Sequence, residues 1–323
     1  MPNSFKENFE DYFSNFYPIL STKEGDWTVK GFIDVFKNIY TISGDTKVVS
    51  KLIELMIFPK ILQFSSEYNY DIVLSSYQNH YPDVTFIDKT TKEKIALDIK
   101  STYRINENEV NGMTLGAFTG YFRNRDSTKN ITFPYKEYSK HFILGVIYSR
   151  TDLVFAQQKM RNLGHSLNKS QIEILERYLS NTDDEIFKEF ISTTRVTTTE
   201  EIRSIKAALD TCIIDERKRY KIEDLTNIIS VVRDFDFFLQ EKWKIAIDRP
   251  GSGNTKNIGS TRKISELKNG KALFTTYARG YDFFNDYWMN YLTKDMALAA
   301  EYDKPPYNNL TTYFAHKRIS NAK

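Results

Sequence analysis

Cysteine is nearly missing from this chain: Cys212 is the only one in 323 residues. A lone thiol excludes an internal disulfide framework and a multi-cysteine zinc site, and it fits a reducing compartment. Histidine is scarce too, with four residues. No second ligand stands at a suitable spacing from His80, so no zinc centre is expected there. No stretch approaches the roughly 18 uninterrupted apolar residues of a membrane span. The opening MPNSFKENFEDYF has no basic segment followed by an apolar one, so the chain reads as cytoplasmic with no membrane partner. Excess charge is also missing. The 45 Lys and Arg against 42 Asp and Glu leave +3, so any surface that attracts a polyanion must be local.

What the chain has in quantity is apolar and aromatic mass. With 41% apolar residues, 23 Phe and 21 Tyr, it can bury a full core in one or two domains and is not disordered. After an aromatic-rich, helical N-terminal segment, Ser43-Gly44-Asp45-Thr46 supplies capping chemistry, and Val48, Val49, Leu52, Ile53 and Met56 follow at helical spacing. Pro59 is expected to end that helix. Lys47, Ser50, Lys51 and Glu54 gather on its polar side, and periodicity alone makes Glu54 part of a solvated face.

Residues 81–88 and 94–103 both alternate around a polar stretch, which predicts a hairpin. In the second strand Ile95, Leu97 and Ile99 face one way, and Ala96, Asp98 and Lys100 the other. A helix-like segment is expected around 114–122 and a buried strand over 142–148. From about 151 to 217 the periodicity is helical, with Thr198 and Glu201 forming a capping box and two shorter helices expected over 171–179 and 185–191. A strand-like run over 237–247 leads into the glycine-rich, loop-like residues 250–260.

The informative set is Pro82-Asp83 followed by Asp98-Ile99-Lys100. If the two strands pair, Asp83 and Asp98 come opposite each other with Lys100 on the face of Asp98. Two carboxylates that close repel, and a hard divalent cation such as magnesium relieves the repulsion. Such an ion activates a bound water, and Lys100 is placed to orient that water or support its deprotonation. Taken alone, these dipeptides also suit a solvated strand face and a turn. The Gly251-Ser252-Gly253-Asn254-Thr255 run lacks the spacing of a phosphate loop. It reads either as a flexible linker or as a DNA-reading loop in which Asn254 pairs with adenine in the major groove.

Together, Gly44-Asp45-Thr46-Lys47-Val48, Gln78-Asn79-His80-Tyr81-Pro82-Asp83, the Ile95 to Tyr103 strand and the glycine-rich loop resemble, in order and spacing, the type II restriction endonucleases of the PD-(D/E)xK superfamily. The resemblance covers about 40–150 and 218–309. It implies an α/β fold, a restriction-endonuclease-like mixed sheet flanked by helices, with an inserted helical subdomain. The expected organisation is 1–150 as the N-terminal part of the nuclease domain with a dimer element and the catalytic core, 151–217 as the insert, and 218–323 as the C-terminal part with the reading loop.

The same resemblance implies a homodimer that cuts double-stranded DNA with Mg2+, leaving 5′-phosphates. It implies Asp83 and Asp98 as metal ligands, Lys100 as the residue assisting the water, and Glu54 as an acidic helix residue near the metal. It puts 251–256, including Lys256, in the major groove and the turn with Gln78 and Asn79 near the minor groove. Thr102, Tyr103, Lys129 and Arg150 match positions that approach the DNA backbone. The reading loop points to GATATC cut bluntly, and a restriction role implies a cognate DNA methyltransferase in the host. Alternatives are a nuclease of this fold with another target or a repair role, and a non-catalytic DNA-binding protein on the same scaffold.

Overall fold

The computed structural model describes residues 4–42, 44–75, 77, 80–213, 219–251 and 256–321. Two short aromatic helices (α1, Phe5–Asp11; α2, Tyr17–Leu20) lead to strands β1 (Gly31–Ile33) and β2 (Asn38–Thr41), then to the long helix α3 (Thr46–Glu67). Strands β3 (Tyr70–Leu74), β4 (Val84–Asp88), β5 (Lys94–Tyr103), β6 (Thr114–Ala117) and β7 (Tyr138–Arg150) follow. Helices α4 (Thr151–Asn162), α5 (Lys169–Asn181), α6 (Asp184–Ser192) and α7 (Thr199–Asp210) come next. The chain returns through β8 (Arg219–Lys221), β9 (Val232–Glu241), the single-turn α8 (Lys242–Ile245), β10 (Ala246–Pro250) and β11 (Asn257–Ser260). It closes with α9 (Ile264–Asn269), α10 (Gly280–Asn290), α11 (Lys294–Ala299) and α12 (Leu310–Asn321).

The central sheet has the order β3-β4-β5-β7-β9, with β5 and β7 parallel and the other pairs antiparallel. This is the expected mixed sheet flanked by helices. Strand β7 is apolar along most of its length because both of its faces are covered. At Gly145 any Cβ would sit 2.0 Å from the Phe238 ring, so glycine lets β9 close on it. Two smaller sheets, β1-β2-β8 and β10-β11-β6, sit beside the main one. Among the described residues no helix is long and apolar enough to cross a membrane.

Several elements depart from the sequence expectation. Helix α3 begins as expected, with the Asp45 carboxylate accepting from the Lys47 and Val48 amides at 2.8 and 3.2 Å. It runs through Pro59 instead of stopping there. An interior proline costs about 3 kcal/mol, but carrying the helix onward buries Ile61 and Phe64 completely, each worth about 1.5–3 kcal/mol. The 114–122 segment is not an α-helix. Residues 114–117 form β6, paired to β11 through Asn257↔Ala117 and Gly259↔Thr114, and only residues 120–122 turn as a 3-10 helix. Within the loop-like 250–260 stretch Pro250 ends β10 and Asn257–Ser260 are strand, and the strand-like 237–247 run is interrupted by α8. The helices of the 151–217 stretch share one apolar core with the sheet: Leu153, Met160, Leu175, Phe190 and Leu209 cluster with Phe142, Tyr148 and Leu239.

Candidate active site

The β4–β5 hairpin pairs Val84 with Leu97 and Thr85 with Ala96. Asp83, one residue before β4, therefore arrives opposite Asp98. Its Oδ2 accepts the Ile99 amide at 2.7 Å, which fixes it against β5. Lys100 Nζ donates to Asp98 Oδ2 at 2.6 Å and stands 3.9 Å from Asp83 Oδ2. The three side chains meet at the floor of a cleft of about 630 Å³ that is also lined by Gly116, Tyr121 and Lys129.

Charge in this cluster is unevenly settled. Burial, reinforced by the neighbouring Asp98, pushes the Asp83 carboxyl up to about 7. Burial also works against an ionised Asp98, but the Lys100 ammonium and, further off, Lys242 outweigh it and hold that carboxyl low. Lys100 loses hydration too, yet Asp98 and Asp83 together keep its proton affinity raised. The ammonium form is thus the resting state, suited to orienting a water and stabilising negative charge. Asp83 is the member whose charge is most disfavoured, first by burial and then by the second acid, and a divalent cation relieves such a pair. Oxygen donors suit a hard ion, so Asp83 and Asp98 fit magnesium.

Glu54 stands near this cluster without joining it. Helix α3 is tied to β5 by a 2.7 Å contact between the Ser50 and Ser101 hydroxyls, and the Glu54 charge reaches Lys100. Its carboxylate is paired with Lys51 at 2.7 Å. Among the described residues no group of three or more His, Cys, Asp or Glu side chains is gathered to hold an ion. Glu54→Ala should therefore slow single-turnover cleavage by less than Lys100→Ala does. A variant indistinguishable from wild type would return Glu54 to a solvated helix face.

The expected DNA-contacting residues divide into three groups. Gln78, Asn79, Ser252, Gly253, Asn254 and Thr255 lie outside the described residues. Gly251 and Lys256 flank the β10–β11 connection, where the Gly251 amide bonds the Asn257 carbonyl at 3.0 Å, and Lys129 is exposed on the cleft wall. Thr102, Tyr103 and Arg150 are buried and engaged within the chain. Thr102 donates to the Asn111 carbonyl and Tyr103 to Glu176. Arg150 pairs with Asp152 at 2.5 Å and Glu176 at 3.3 Å. Sequence reasoning had no view of Glu176 because it belongs to α5, 73 positions from Tyr103. It also missed the buried aromatic layer behind the acids, made of Tyr81, Tyr121, Tyr135 and His141.

A family model described as "Restriction endonuclease EcoRV" matches residues 23–207 and 208–318. The chain belongs to the EcoRV restriction endonuclease family. It is 32% identical to the type II restriction enzyme EcoRV of Escherichia coli over 289 residues, covering 89% of each chain. As a member of the EcoRV family it is a sequence-specific DNA endonuclease, a type II site-specific deoxyribonuclease and hydrolase.

One pH dependence follows directly from the EcoRV-family site. Asp83 binds its proton more tightly folded than unfolded, so its contribution to stability without metal is present at low pH and is lost as pH rises through about 7. A divalent ion held by Asp83 would have to displace that same proton. Calcium titrations by calorimetry should show the half-saturating concentration rising by up to about tenfold for each unit of pH below neutrality.

Proposed function

We propose that the protein is a magnesium-dependent homodimeric restriction endonuclease that cuts double-stranded DNA bluntly at GATATC, leaving 5′-phosphate and 3′-hydroxyl ends. A cognate DNA methyltransferase protects the host's own copies of the site. The observation that carries this reading is the pairing of Asp83 with Asp98 across the hairpin with Lys100 on their shared face.

In this reading Asp83 and Asp98 hold the metal, with Glu54 in support. Magnesium, when bound, neutralises charge on the phosphate and makes a coordinated water a stronger nucleophile. The Ile99 amide keeps Asp83 oriented, and Lys100 aligns the attacking water and stabilises the negative charge that builds on the phosphorus oxygens. A water oxygen bonds to phosphorus and gives up a proton to solvent, the bond to the 3′ oxygen breaks, and that oxygen takes up a proton from solvent and leaves as a hydroxyl. A second copy of the chain is supported by the β1–β2 ribbon, which leaves Val35 90% and Phe36 78% exposed beside Phe32 and Ile33.

The 251–256 loop reads bases in the major groove and the turn with Gln78 and Asn79 approaches the minor groove, while Lys129 holds the backbone from the cleft wall. The backbone roles of Thr102, Tyr103 and Arg150 require their internal bonds to rearrange. Asn254→Ala should lose cleavage of a GATATC duplex far more than affinity for scrambled DNA, since an adenine contact is worth ~1–3 kcal/mol of discrimination. Lys129→Ala should weaken binding to both duplexes alike and flatten the salt slope by about one. Salt-dependent binding and cleavage of the two duplexes test this. Wild-type cleavage by Asn254→Ala would make the loop a linker.

A further inference from the structure

Lys242, the first residue of α8, lies behind the acidic pair. It is 1% exposed, and its Nζ has no hydrogen-bond partner among the described residues. The ammonium stands 4.3 Å from the centre of the Tyr81 ring and 5.8 Å from that of Tyr135. On its other side is Gly116, at φ +86°, where a Cβ would lie 3.5 Å from Nζ. Tyr81, Gly116 and Asp98 all line the cleft, so the amine sits directly beneath the cleft floor.

An ammonium in this place is costly. Ring faces recover only part of the hydration it loses. Burial draws its pKa down to about 8, with Asp98 pulling the other way and Lys100 adding to the fall. A methionine would fill the same space without that cost. The charge is therefore of use only to a neighbour, and the cleft floor above it, lined by Tyr81 and Gly116, also carries Asp83 and Asp98.

We propose that Lys242 is a positioning residue for cleavage, a buried cation that gives the acidic pair a fixed counter-charge, so that the pair keeps its place when Lys100 turns toward the substrate. The inference rests on the nuclease reading above. Lys100 is the ion-pair partner of Asp98, at 2.6 Å, and it cannot hold that bond at full strength while serving a water and a phosphate. Lys242, walled off by rings, stays where it is, and a charge that does not reorganise is the kind that lowers a barrier. The same charge repels a divalent ion. A positive charge beneath the cleft floor therefore weakens the binding of a divalent ion above it. Lys242 thus raises the rate while lowering metal affinity, two effects of opposite sign that no packing role produces together.

The test compares Lys242→Met and Lys242→Gln with wild type in three readings: the melting temperature of the metal-free protein, calcium affinity by calorimetry at pH 7, and single-turnover cleavage in saturating magnesium. The expected result is a melting temperature at or above wild type, calcium bound about tenfold more tightly, and cleavage slowed about tenfold or more. Wild-type calcium affinity with wild-type turnover in both variants would overturn the proposal. So would slower turnover with a lower melting temperature and unchanged calcium affinity, which makes Lys242 a plain support of the core. A wild-type protein that binds calcium and cuts no DNA sinks the nuclease reading instead, and the calcium comparison then still decides whether Lys242 acts on the acidic pair.

Discussion

Asp98→Ala should abolish cleavage, with a loss on the order of 10³ or more in single-turnover rate, because the metal's share of transition-state stabilisation is several kcal/mol. Asp83→Ala should do the same. Specific DNA binding should survive in calcium, a hard cation that screens the remaining acid and is a poor catalyst here. The two variants should differ sharply in stability. Removing Asp98 takes the close partner, at 2.6 Å, from the Lys100 ammonium and leaves it only Asp83 at 3.9 Å, and a part-buried charge that loses its close partner destabilises the fold. Removing Asp83 takes away the acid that burial and Asp98 already hold near neutrality, so the metal-free Asp83 variant should melt at or above wild type at pH 8. Thermal melts without metal, paired with single-turnover cleavage in magnesium, check both halves. Full cleavage by either variant would remove the acids from the active site.

Lys100→Ala should cost on the order of 10² or more in rate, since the ammonium both orients the water and offsets charge on the phosphorus oxygens. Its position between Asp98 and Asp83 means that it also tempers the repulsion of the acids. Without it the acidic pair should bind calcium more tightly while cutting more slowly, which separates the ammonium's chemical role from loss of metal. Calorimetry and single-turnover kinetics on the same preparation read both quantities. A rate loss that disappears when magnesium is raised would assign Lys100 to metal binding alone.

The hairpin and its acids were legible in the sequence because strand alternation is a local property. Once residues 81–88 and 94–103 alternate around a short polar turn, the opposition of Asp83 and Asp98 follows. The start of α3 was legible for the same reason, through the side chain of Asp45. Its end was not, because the burial of Ile61 and Phe64 that carries it past Pro59 is tertiary. Residues 114–117 read as helical since their partner, β11, is more than a hundred positions away. Distance in sequence also hid the site's surroundings. Glu176 captures Tyr103 and Arg150 from inside the 151–217 helices, and the rings around Lys242 are gathered from residues 81 and 135. Glu54 sits between these cases: its helix face was visible, but the Ser50–Ser101 contact that turns that face toward β5 was not.

The most direct measurement of the central claim, that Asp83, Asp98 and Lys100 form a metal-dependent, sequence-specific nuclease site, is to incubate a sequenced supercoiled plasmid with wild type and Asp98→Ala. Magnesium, calcium and metal-free arms are run side by side, and every DNA end is sequenced. The account predicts blunt cuts at one recurring six-base-pair palindrome, made by wild type in magnesium alone. Cuts scattered over unrelated sequences, cuts made equally by Asp98→Ala, or an intact plasmid in magnesium would contradict it.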